Sequence, residues 1–274
     1  MALNRSSLLK LLGSRRFAPL CSTLLLGVFC DQLLKSTLLA SFWLHSAGNQ
    51  PLALYQPIQI ELLYIFPFLL LSGTAGQLAD HFEKSAVIRL LKLSEVAIIL
   101  LAAQAILGGN QLLLGILLLL AAIKSALITP SLIAILPQLL EQQQRPGGLA
   151  LLLVAGFSAV LAGSWLTKQL SGHTYGQLII AAVICLTAIS GWWCSRYIPL
   201  APKAMDRPFP RFNPLSNTRR LFDQCRESHS LTMLISAIGW FWFMVTAYLS
   251  LLQPLVNQTS GDLTSQQLFT DFVQ

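Results

Sequence analysis

An all-α, multi-pass membrane protein is the fold class this sequence predicts, and three observations predict it. Hydrophobic residues make up 54% of the chain and charged residues only 11%, a balance that a water-soluble domain of this length rarely shows. The apolar residues fall in seven long continuous runs, and a bilayer core of about 30 Å needs roughly 20 apolar residues in a helix. The runs show no period-2 alternation. Backbone groups that cannot stay unpaired in lipid are then satisfied within helices, not in a closed barrel.

The runs are Phe17–Trp43, Ile58–Leu78, Ala86–Leu107, Leu112–Leu136, Leu149–Thr167, Gln177–Tyr197 and Leu231–Val256. Basic residues alternate between the connections. Arg5, Lys10, Arg15 and Arg16 precede the first run, Lys84 falls in the second connection and Arg145 in the fourth. Lys203, Arg207, Arg211, Arg219, Arg220 and Arg226 fill the long sixth connection, whereas the first and third carry no Lys or Arg. Lys and Arg mark the cytoplasmic side, so the N-terminus is expected in the cytoplasm and the net charge of +7 is topological. Split among separate connections, these residues form no nucleic-acid footprint.

The expected organisation is a basic cytoplasmic N-terminus over 1–16 and a six-helix bundle over 17–197. A cytoplasmic linker with a short amphipathic helix follows over 198–230, then a seventh helix over 231–256 and an outside tail over 257–274. Within the linker, Asn213-Pro214 reads as a helix start. The first run is too long for a secretory signal, and Asp31 and Lys35 inside it argue the same way. Six helices, a basic segment and another helix is the layout of a transporter made of two halves, each holding two inverted three-helix repeats. Pro67 and Pro130 are not at equivalent positions, so the repeat rests on layout alone.

Three charged residues lie deep in the runs. A charge there costs several kcal/mol unless it is paired or wet. At 1.5 Å per residue, Asp31 is about 21 Å along the first run, with Lys35 one turn further and Lys124 about 18 Å into the fourth run. Asp31 and Lys35 share a helix face and can neutralise each other at i, i+4. One reading is a polar patch in a central cavity that binds a charged head group or carries a proton; the other is a structural ion pair. Glu95 follows Arg89 and Lys92, and the spacing lets Lys92 and Glu95 pair near the cytoplasmic surface.

Gly76-Gln77-Leu78-Ala79-Asp80 and Lys84 form a compact polar turn between the second and third runs. Gly76 is expected to allow close helix approach, and Asp80 to cap a helix or to pair with a basic residue. Gly147, Gly148, Gly156 and Gly163 are read as packing glycines, and the Trp240–Phe243 cluster as an interfacial belt. The five cysteines lack a CxxC spacing and read as apolar fillers. The four histidines have no ligand partner at metal-site spacing, and no nucleotide loop or catalytic dyad is present. No enzyme activity, cofactor or metal is expected.

Gly76, Leu78, Ala79, Asp80 and Lys84 resemble the signature between the second and third helices of the major facilitator superfamily, with His81 and Glu83 as departures. Wider stretches are similar to its lysophospholipid-transporter branch. These are Arg15–Leu20, Gly27–Lys35, Pro67-Phe68 through Lys92–Glu95, Leu136-Pro137, Gly147-Gly148, and Asn213–Leu215 through Trp240–Phe243. The resemblance implies a carrier that moves lysophospholipids across the bacterial inner membrane for re-acylation, in a family where some members are fused to acyltransferase and ligase domains. It makes Asp31 and Lys35 cavity residues and Asp80 a cytoplasmic gate residue. Cys30 stands where the branch has Asn, Leu132 where it has Lys, and Leu149 and Leu153 where it has Asn and Glu. The resemblance also implies twelve helices. A chain ending at Gln274 is therefore expected to be truncated or to work with a missing C-terminal half, with service as a docking module for an acyltransferase–ligase system as the alternative.

Overall fold

The computed structural model describes residues 11–45, 50–171, 173–200, 219, 223, 229–241 and 244, with the side chains of 43–58 outside that description. Over residues 18–195 seven helices follow in order: α1 (Ala18–His45), α2 (Gln50–His81), α3 (Lys84–Leu107), α4 (Gln111–Ala134), the short α5 (Leu136–Leu139), α6 (Arg145–Leu170) and α7 (Gly176–Ser195). Six are long and apolar enough to cross a membrane, and among the described residues there is no strand. The chain is an all-α multi-pass membrane protein.

Local chemistry sets the helix ends. Asn110 caps α4 by accepting the Leu113 N–H at 3.0 Å, and Gly109 before it sits at a φ of 64° that favours glycine. Pro146 stands in the first turn of α6, where its missing N–H costs nothing. The polar turn is tighter than expected. Helix α2 continues through Asp80 to His81, and only Phe82 and Glu83 separate it from α3.

The packing shows an internal exchange symmetry. Helix α2 packs chiefly on α4, and α6 chiefly on α1. Helix α3 packs on α4 as α7 packs on α1, while α3 meets α7 and α1 meets α4. Exchanging the triplet α1–α2–α3 with α4–α6–α7 leaves these main contacts in place. Because each triplet holds three spans, the second starts from the opposite face, which makes the repeat inverted. The repeat expected from layout is therefore present in the packing.

Two apolar clusters fill the bundle. One, around Leu34, Ile99, Leu118 and Ile184, joins α1, α3, α4 and α7. The other, around Phe17, Ile88, Ile135 and Leu152, lies at the end of the bundle where Lys84 and Arg145 are found, called here the basic end. Of the packing glycines in α6, Gly163 acts as expected: a Cβ there would sit 3.1 Å from Gln32, so α6 lies close against α1 at that level, whereas one at Gly156 would make ordinary contact, 3.8 Å from Leu24. A Cβ at Gly148 would collide with Leu140. Gly76 corrects its expectation: nothing among the described residues lies within 4 Å of a Cβ there, so it mediates no close approach between them.

A second compact unit begins at Arg219. Its described helix, His229–Phe241, is apolar and covers the start of the seventh run. The rest of that run, except Met244, lies outside the described residues, as do the Asn213-Pro214 helix start, Cys225, most of the linker and the 257–274 tail.

Candidate functional site: a buried charge network at one end of an apolar cavity

Three helices bring four charged side chains together. Lys124 on α4 donates to Asp31 Oδ1 on α1 at 3.0 Å and to Glu95 Oε2 on α3 at 2.8 Å. Lys92, one turn before Glu95, donates to both of its carboxylate oxygens at 2.9 and 3.0 Å. The result is a chain of alternating sign, Lys92–Glu95–Lys124–Asp31. Every member is at most 5% exposed. Two neutral donors complete Asp31: Tyr64 Oη on α2 donates at 3.1 Å, and Ser125 Oγ donates to the same oxygen.

Glycines make room for Lys92. A Cβ at Gly27 of α1 would be 2.5 Å from its Nζ, and one at Gly191 of α7 would be 3.4 Å from it. The ammonium thus passes through a slot between two helix backbones. Larger residues would fill the slot and displace the end of the network.

The network borders a cavity of about 310 Å³. Beyond the charged end its walls are apolar: Leu24 and Val28 from α1, Ile128 and Leu132 from α4, Leu149, Leu153 and Phe157 from α6. Ile133, Leu149, Leu153 and Phe157 are all exposed, so the cavity opens between α4 and α6. The buried Thr23 hydroxyl lines it, with no hydrogen-bond partner among the described residues. Leu132, Leu149 and Leu153, three of the departures from the resembled branch, all stand on this wall. The outcome is a cavity with one ionic end and one greasy end.

The expected site residues sort into three groups. Asp31 and Lys124 are brought together directly. Glu95, expected near the surface in a local pair, makes that pair with Lys92 but also reaches Lys124 in the buried network. Lys35 does not neutralise Asp31. It pairs with Glu61 of α2 at 2.8 Å and lies 5.5 Å from the centre of the Tyr64 ring. The reason is competition: Asp31 is already saturated by Lys124, Ser125 and Tyr64, and Glu61 offers Lys35 a free carboxylate. Lys35 does not line the cavity.

The gate residues stand apart. Asp80, in the last turn of α2, is exposed, caps no helix and makes no ion pair among the described residues. The α3 N-cap is Glu83, whose side chain instead accepts from Ser85. Lys84 is buried, and its ammonium has no hydrogen-bond partner among the described residues. Arg89 donates to the Ile198 carbonyl at 2.8 Å, fastening α3 to the chain just after α7.

Sequence reasoning left Lys92, Glu61, Tyr64, Ser125, Gly27 and Gly191 out of the candidate site. A signal for Lys92 was present in its i, i+3 spacing to Glu95. None marked Tyr64 or the two glycines, because their roles depend on which helices become neighbours. The cysteines agree with their reading: Cys21 and Cys30 are buried and unpaired, and Cys30 donates to the Ile184 carbonyl at 3.4 Å. No protein-family model, curated protein or solved structure matches the chain.

Proposed function

We propose that the chain is a transporter module of the major facilitator type, a six-helix half plus the first helix of the second half. Its cargo is a lysophospholipid-class amphiphile, and its place is the bacterial inner membrane with the N-terminus in the cytoplasm. The observation that carries this reading is the buried alternating network at one end of an otherwise apolar cavity.

The energetics support a ligand role. Burying ion pairs costs several kcal/mol of desolvation per ion, and apolar residues of similar volume often hold helices as well or better. Charged groups inside membrane spans face cavities and mark transport routes by default. A lysophospholipid has a small ionic head and one acyl chain. Its phosphate suits Lys124, its ammonium suits Asp31, and its chain suits the Leu132–Leu149–Leu153 wall. Such a head replaces one ion pair by two without adding net charge to the site. Thr23 offers a further hydroxyl to a polar linkage. The exposed Asp80 fits a contact to an opposite half at the basic face.

The test is reconstitution of the purified chain in vesicles with labelled lysophosphatidylethanolamine. Movement by the chain alone supports a self-sufficient carrier, and movement only with a second polypeptide supports a split one. Absence of movement under both conditions overturns the transport reading and leaves a docking module or an inactive remnant.

A further inference from the structure

We infer that Lys35 and Glu61 form a second, outer site for the polar head, separated from the cavity by the ring of Tyr64. The inference rests on the transport reading and extends it beyond the cavity. Counted from the basic end of each helix at 1.5 Å per residue, Lys92 stands at about 12 Å, Asp31 at about 20 Å, Lys35 at about 26 Å and Glu61 at about 30 Å. Followed contact by contact, the signs alternate: Lys92, Glu95, Lys124, Asp31, then, across the Tyr64 ring, Lys35, Glu61.

Tyr64 spans the one break. Its hydroxyl donates to Asp31 at 3.1 Å, and its ring lies beneath the Lys35 ammonium, 5.5 Å away. Tyr64 lines the cavity, whereas neither Lys35 nor Glu61 does. The ring is therefore the wall between the two charged groups.

A bracing role explains the outer pair poorly. The Lys35 side chain is 20% exposed and that of Glu61 51%, and pairs so open contribute little to stability. The same openness suits exchange, because a pair not sealed in protein changes partners without the full desolvation cost of a buried one. Its chemistry repeats that of the inner pair, with a cation for phosphate and a carboxylate for ammonium. A head group released by Lys124 and Asp31 reaches Lys35 and Glu61 within two helical turns, once Tyr64 swings aside and lets go of Asp31.

The test uses the full chain in vesicles and follows both equilibrium binding and transport of labelled lysophosphatidylethanolamine. Glu61→Gln should leave binding at the inner cavity, which Glu61 does not line, unchanged and lower transport about tenfold. The paired exchange Lys35→Glu/Glu61→Lys restores an ion pair but reverses its order in the ladder. It should melt like the wild type and still transport poorly. Normal transport by Glu61→Gln overturns the second site and leaves the cavity reading standing. So does recovery of full transport by the paired exchange, because only a structural brace would be indifferent to order. A wild-type chain that neither binds nor moves the lipid removes both.

Discussion

Helix α1 carries two polar seams on its two sides, and they are built from opposite chemistry. Toward α2 and α4 it presents Asp31, held by a lysine, a serine and a tyrosine. Toward α6 it presents Gln32 and Ser36, which meet Ser164 and Thr167 at 2.7 Å each. The second seam contains no charge and lies over the tight contact at Gly163. Neutral hydrogen bonds of this kind contribute about 0.6 kcal/mol each in membrane proteins, and together with close packing they hold α1 to α6. Cohesion between these helices does not require ions. The ions on the other seam carry a desolvation cost that cohesion alone leaves unexplained, and the cavity beside them supplies the explanation.

The largest way to break that contrast is Lys124→Met. It leaves Asp31 as a buried carboxylate without a cation, and removing one partner of a buried pair costs about 3–5 kcal/mol. Thermal melting of the detergent-solubilised protein should fall steeply. Next is Gly27→Ala, which places a methyl where the Lys92 ammonium lies. Overpacking of this kind costs about 1–3 kcal/mol, and lipid binding should fall together with melting temperature, because the Lys92–Glu95 end of the network shifts. On the neutral seam, Gln32→Leu should cost only about 0.6 kcal/mol, and at most about 1.7, with binding unchanged. A binding defect from Gln32→Leu as large as that from Gly27→Ala would erase the distinction between the seams. Smallest is Gly76→Ala. With open space around it, the alanine should stabilise α2 slightly, by at most about 1 kcal/mol of helix propensity; a marked loss of folded yield would show that Gly76 meets a neighbour after all.

The spans were legible because each helix in lipid announces itself by length and continuous apolarity. All six described spans fall on the expected runs, shifted by a few residues at the ends. Asp31 and Lys124 were legible for the same reason, since a charge at that depth stands out against Leu and Ile. Partners were not. From the sequence Asp31 has a lysine four residues away and another 93 residues away, and only helix packing decides that the distant one wins. Glu95 looked superficial because it sits early in its run. It is in fact 1% exposed, because α3 is enclosed by α1, α4 and α7 at that level. Tyr64 carried no signal, being one aromatic among many in an apolar run. The Gly76–Asp80 turn shows the reverse case: it stands out in the sequence, yet Gly76 meets no neighbour within 4 Å of a Cβ and Asp80 makes no ion pair among the described residues.

The most direct measurement is made on the double variant Asp31→Asn/Lys124→Met, which removes the central pair and leaves Glu95 with Lys92. Its melting temperature and its transport of labelled lysophosphatidylethanolamine are compared with those of the wild type in the same vesicles. If the ions serve the ligand, the double variant melts near the wild type, well above Lys124→Met alone, and moves no lipid. A double variant that is equally stable and equally active would contradict the account.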